Sequence, residues 1–230
     1  MKNIGIRIAV VLQILFCTNY LESQNLTVGA HAGVNFQNIT GKDSDGDALE
    51  NELVARYALG LNLEIALASE YCLQTGLSYS IKGAQKKDDN ANLNLAYIEL
   101  PVNFIFKPAL GQHHMLLGFG PYLAYGLSGN YKSEFNGIKL NRKVVYQSNI
   151  DYSDLFSTTE VFFAPWDAGL NLLAGFELSS GFSLQFNAQL GLVNINPVVT
   201  GFTTDDKSAL KNTGFGVSIA YRFIPKNSKI

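Results

Sequence analysis

The sequence predicts an all-β fold, an eight-stranded antiparallel up-and-down transmembrane β-barrel, and three observations carry that prediction. Apolar residues alternate with small or polar ones, period two, along eight segments. No charged residue falls on the apolar face of any of them. The connections alternate between short turns and long polar loops, which is the arrangement of short periplasmic turns and long extracellular loops.

The strands follow in order. Leu26, Val28, Ala30, Ala32, Val34 and Phe36 share one face, with Thr27, Gly29, His31, Gly33, Asn35 and Gln37 on the other. Tyr57, Leu59, Leu61, Leu63, Ile65 and Leu67 then alternate with Arg56, Ala58, Gly60, Asn62, Glu64 and Ala66. After Ala68 to Glu70, Tyr71, Leu73, Thr75, Leu77, Tyr79 and Ile81 alternate with Cys72, Gln74, Gly76, Ser78, Ser80 and Lys82. The fourth strand sets Ile98, Leu100, Val102, Phe104 and Phe106 against Tyr97, Glu99, Pro101, Asn103 and Lys107. The fifth sets Met115, Leu117, Phe119, Leu123, Tyr125 and Leu127 against Gly118, Gly120, Tyr122, Gly126 and Ser128.

A long insertion from about Gly129 to Ala164 follows. A compact fold rarely holds so long a loop without regular structure, so strand is expected to extend into it. Trp166 to Leu178, Phe182 to Leu192 and Gly214 to Phe223 supply the last three strands. Each is long enough for a tilted membrane strand.

Charge decides which face meets lipid. Of 17 Lys and Arg and 19 Asp and Glu, only Arg56, Glu64, Lys82, Glu99, Lys107, Asp167, Glu177 and Arg222 fall on predicted strands, all on the polar face. A lipid-facing Lys or Arg at mid-bilayer costs about 2–4 kcal/mol, which explains the exclusion. The polar face is rich in Gly, Ser, Asn and Gln, as suits a narrow bore filled by side chains. Within it Arg56, Glu64, Glu99, Asp167, Glu177 and Arg222 are expected to form a packed polar network. Aromatics mark both ends of the apolar face. Phe36, Tyr57, Tyr79, Tyr125 and Trp166 lie near the long loops; Tyr71, Phe106, Phe176, Phe182, Tyr221 and Phe223 lie near the short turns.

Composition agrees. Charged residues are 16% of the chain, against about 25% in soluble domains. The net charge of −2 supplies no basic face, so no nucleic-acid partner is expected. Beyond the N-terminus no run of about 18 apolar residues occurs, which excludes a bundle of membrane helices. The N-terminus has the anatomy of an export signal, with Lys2 and Arg7 before the short apolar run Ile8 to Cys17. Cleavage is expected near Ser23, although Leu21 is larger than the small residue preferred before the cut. The expected organisation is a cleaved signal peptide over 1–23 and an outer-membrane barrel domain over 24–230. Removal of Cys17 would leave Cys72 alone, with no internal disulfide.

The sequence resembles the PorT-type outer-membrane β-barrel proteins of Gram-negative bacteria. The matching stretches are Val28 through Phe36, Tyr97 through Val102, Gly120 through Leu123, Asp167 through Gly175, Gly191 through Ile195 and Ala220 through Phe223. The resemblance covers nearly all of the mature chain and implies the barrel fold and the bacterial outer membrane. It implies a link to protein secretion through the family's founding member and carries over no catalytic motif. The tail Ile224 to Ile230 departs from it by running past the usual terminal aromatic.

Motifs with chemical promise are few. Asp43, Asp45 and Asp47 begin like a calcium loop, but Ala48 and Val54 stand where Gly and Glu are required, so a solvated acidic loop is expected. His113 and His114 are adjacent and would point to opposite faces on a strand, so a short solvated turn is the better reading. His31 on the polar face invites comparison with a Ser-His-Asp site, yet spacing gives no support, and a hydrogen-bonded interior histidine is expected. No catalytic, cofactor-binding or metal-ligating residue is therefore assigned, and the chain is not expected to be an enzyme. The expected role is structural or protein-interacting, linked to secretion or envelope assembly. Its expected partners are outer-membrane lipid and other envelope proteins met through the loops. A small outer-membrane enzyme acting on lipid or protein and a narrow channel are the alternatives.

Overall fold

In a computed structural model of the chain, residues 26–86, 91–135, 137–201 and 207–223 are described. The signal peptide, its cleavage site and the tail Ile224 to Ile230 lie outside the described residues.

The strands, numbered in chain order, are β1 (Leu26–Lys42), β2 (Val54–Ala68), β3 (Tyr71–Lys86), β4 (Ala91–Phe106), β5 (Ala109–Leu110), β6 (His113–Phe135), β7 (Ile138–Tyr146), β8 (Asn149–Asp151), β9 (Glu160–Phe163), β10 (Trp166–Glu177), β11 (Phe182–Gly191), β12 (Val198–Thr200) and β13 (Ala209–Phe223). Eight of them close a ring. β1, β2, β3, β4, β6, β10, β11 and β13 pair in that order, each antiparallel to the next, and β13 returns to β1 from Val28↔Phe223 to Lys42↔Ala209. This is the predicted eight-stranded up-and-down barrel. Closure leaves no open edge in the ring, so the backbone groups of the wall are paired where they cross lipid.

The face assignment holds along the ring. Leu61 is 61% exposed and its neighbour Asn62 only 9%. Leu59, Leu77, Phe119, Leu172, Phe186 and Ile219 likewise point outward, forming a continuous apolar belt. The aromatic girdles form neighbouring ring pairs on adjacent strands. Tyr125 meets Trp166 at 4.8 Å and Phe36 meets Phe215 at 5.5 Å at the long-loop end. At the short-turn end Tyr71 meets Phe106 at 5.1 Å and Phe182 meets Tyr221 at 4.7 Å.

The strands run further than the period-two signal marked, chiefly toward the long loops. β1 ends at Lys42 rather than near Gln37, and β13 begins at Ala209. β6 reaches Phe135, so strand does extend into the long insertion. There β7 pairs with the end of β6, and β9 adds to β7 in parallel. β8 and β12 form a separate two-stranded parallel sheet. Past the fourth barrel strand the sequence suggested a plain turn, but β5 pairs with His113 and His114, which begin β6 instead of lying in the turn.

The face assignment has a sharp test. Leu61→Lys places a charge in hydrocarbon and should destabilise by about 2–4 kcal/mol. Asn62→Lys places it in the polar bore and should cost clearly less. Alanine at each site controls for lost volume. Heat-modifiable gel mobility of refolded protein checks the order; equal losses, or a worse Asn62→Lys, would reverse the faces.

Candidate functional site

The inward face alternates small residues with long polar ones, so charge from different strands converges on the axis. The most deeply buried convergence surrounds Lys82, whose side chain is fully buried. Its Nζ lies 2.9 Å from Glu99 Oε2 and 3.0 Å from Asp167 Oδ2. The same ammonium sits 4.1 Å from the Tyr122 ring centroid, a cation–π contact. Asn212 Nδ2 donates to Asp167 at 2.9 Å, and Gln189 Nε2 donates to Glu99 Oε1 at 2.6 Å.

A second cluster lies toward the short turns. Lys107 Nζ bridges Glu64 at 2.9 Å and Glu177 at 3.0 Å. Arg222 donates to Glu177 Oε1 through Nη2 at 2.7 Å and Nε at 3.1 Å. Beside it Cys72, Ile105, Leu116 and Leu173 form a small apolar cluster inside the bore.

The expected single network is thus two. Glu99 and Asp167 belong to the first, and Glu64, Glu177 and Arg222 to the second. The lysines at their centres, Lys82 and Lys107, were on the inward face by periodicity but outside the expected set. Arg56 joins neither: its Nη2 donates to Asn92 Oδ1 at 2.8 Å and to the Leu93 carbonyl at 3.2 Å. Inward Leu116 and Leu173 were also missed, because alternation assigns the face and an apolar residue on the polar face looks like noise.

Between the clusters lies a cavity of about 90 Å³ lined mainly by amides and hydroxyls, room for a few waters. Here His31 Nδ1 donates to Asn62 Oδ1 at 2.9 Å, and its Nε2 faces Ser78 Oγ at 3.2 Å. These are the contacts of a serine–histidine–amide relay, drawn from β1, β2 and β3. Gly60 makes the arrangement possible, since a Cβ there would lie 2.7 Å from both His31 Cε1 and Ser78 Oγ.

The long-loop end is sealed by apolar packing of Ile39, Leu95, Tyr97, Val144, Phe163 and Ile195. Tyr146 stacks edge-on to Tyr97 at 5.7 Å, over a Gly126 that any Cβ would drive into its ring. In the acidic loop, Asp43 Oδ1 accepts from the backbone N–H groups of Asp45 and Asp47 at 3.0 and 2.9 Å, so this carboxylate shapes its own turn. Among the described residues no cluster of three or more His, Cys, Asp or Glu could hold a metal ion.

The family model described as outer membrane protein beta-barrel domain matches residues 22–196. No curated protein matches the chain. Among solved structures, the attachment invasion locus protein Ail of Yersinia pestis is 11% identical with a TM-score of 0.39, over 87% of this chain and 100% of that one. Neisserial surface protein A is 11% identical at 0.41, over 86% and 97%. The outer membrane enzyme PagL is 11% identical at 0.42, over 84% and 98%.

Removing one partner of a buried ion cluster leaves the others uncompensated. Lys82→Met should therefore destabilise the barrel by about 3–5 kcal/mol. Arg56→Met, at the half-exposed rim, should cost less than half as much. Urea titration of refolded protein in detergent, followed by gel mobility, checks the ranking.

Proposed function

The chain belongs to the outer membrane protein beta-barrel domain family, and from that premise we propose that it is a solute-closed barrel that carries a folded extracellular platform for protein contact. The reading extends the kinship to the PorT-type barrels and with it a role in secretion or envelope assembly. One observation carries it: the bore is filled while the loops are built. Two ion clusters and an apolar seal occupy the axis, and the long insertion forms β7, β8 and β9 rather than plain coil.

The same filling argues against a channel, since any ion would have to displace paired charges. It argues against an enzyme for lipid or protein as well. The Ser78–His31–Asn62 relay has suitable contacts, but a cavity of about 90 Å³ admits neither an acyl chain nor a peptide.

Three measurements test the reading. Planar-bilayer recording should show no steady conductance on the porin scale. A fluorophosphonate probe should leave Ser78 unlabelled by mass spectrometry; labelling lost in His31→Gln would revive the enzyme. Affinity capture from detergent-solubilised outer membranes should recover envelope proteins with the intact chain, and lose them when residues 137–164 are replaced by a short Gly-Ser turn that preserves heat-modifiable mobility. Capture unchanged by that replacement would defeat the platform.

A further inference from the structure

β9 ends the sheet: among the described strands β7 is its only neighbour. A cleft of about 590 Å³ lies against it, between β9 and the separate β8–β12 sheet, within the size range of ligand pockets. All four residues Glu160 to Phe163 line this cleft. Successive strand residues point to opposite faces, so a cavity that touches all four meets the edge of the strand, where its backbone groups lie.

The hydrogen bonds locate those groups. Lys143 N donates to Thr159 O and Gln147 N to Phe163 O, both at 2.8 Å, so odd-numbered residues of β9 face β7. Glu160 and Phe162 face away from it. At one end of this outer edge the Glu160 N–H is taken by Ser157 Oγ at 3.1 Å. At the other, Ala164 N donates to Ile195 O at 2.8 Å. The edge is thus capped on both sides of Phe162; among the described residues no backbone hydrogen bond engages the Phe162 N–H and C=O or the Glu160 carbonyl, which lie on the side of the cleft. An edge left open in this way is a template for one more strand.

We propose that this cleft takes an extended segment of another envelope protein as an added strand on β9. The segment is apolar with a basic residue, because the walls carry Ile150, Leu155, Phe163 and Val199, and because Asp45, Asp154 and Glu160 outnumber the single Arg142. The Arg142 guanidinium is itself held over the Tyr131 ring at 4.6 Å, and among the described residues no ion pair engages Asp45 or Glu160. This inference rests on the platform reading and names the kind of partner it takes.

The test uses the full chain in detergent and a fluorescent hexapeptide alternating valine and lysine. Anisotropy should report saturable binding. N-methylation of alternate amides should weaken it about tenfold or more, the effect of losing two hydrogen bonds. Valine alternating with glutamate should bind at least as poorly. Phe162→Pro removes an N–H that β7 does not use and should abolish binding. Glu160→Lys, which leaves the backbone intact, should reduce it and restore part of the glutamate peptide's affinity. Equal binding of the methylated peptide, indifference to Glu160→Lys, or exclusion of the peptide by a cross-linkable second copy would each overturn the cleft. Loop-dependent capture that persists without peptide binding would overturn this inference alone and leave the platform standing.

Discussion

The ammonium of Lys82 has no water to turn to. A cation so buried costs several kcal/mol after relaxation unless carboxylates and further hydrogen bonds surround it. The fold meets that demand from six of the eight barrel strands: Lys82 on β3, Glu99 on β4, Tyr122 on β6, Asp167 on β10, Gln189 on β11 and Asn212 on β13. The wall hydrogen bonds hold each strand to its neighbours. This cluster holds strands across the bore, linking β3 to β10, and so opposes both register slip and flattening of the barrel. A one-residue slip of β3 would turn Lys82 to lipid and leave two buried carboxylates without a partner. The register therefore has an electrostatic as well as a hydrophobic cause.

What the sequence made legible follows from that cause. Periodicity assigns a residue to a face without reference to any other strand, so Leu61, Asn62 and the inward position of all eight strand charges could be read one segment at a time. Which inward residues meet depends on the stagger of the ring, and turn lengths alone do not give it. Glu64 and Glu99 look comparable in sequence, yet stagger sends one to Lys107 and the other to Lys82. Arg56 has the same alternation signal as Glu64 but sits at the rim, where a side-chain amide and a carbonyl suffice. The parallel pairings of β7 with β9 and β8 with β12 left no trace in the sequence, because strands of three to nine residues with mixed polarity carry little period-two signal.

The Ser78–His31–Asn62 arrangement shows how little such contacts establish alone. A polar bore must satisfy every inward hydroxyl, imidazole and amide, and with many of them on staggered strands, chains of donor and acceptor arise as a solution to hydrogen bonding. Gly60 has a sufficient structural reason: the imidazole needs the space. A nucleophile also requires a route for substrate and donors placed around a developing oxyanion. The cavity supplies amides but lies between an ion cluster on each side.

The seal and the proposed platform are one structure. Val144, Phe163 and Ile195 close the long-loop end of the bore, and the first two belong to β7 and β9, the strands that build the platform. Ile195 is tied to the end of β9, through Ala164 N donating to its carbonyl, and to β13, through its own N–H donating to Leu210 O at 2.9 Å. Water is thereby kept from Lys82 by the same residues that hold the β9 edge in place. Any force that lifted β9 would draw Phe163 from the seal and wet the charge cluster, weakening it through a higher local dielectric. An added strand, by contrast, would pair the outer edge while β9 keeps its bonds to β7. The geometry thus favours contact that rigidifies the platform over contact that opens the bore, and it explains how a loop-borne surface can stay folded above a membrane with so little of its own core beneath it.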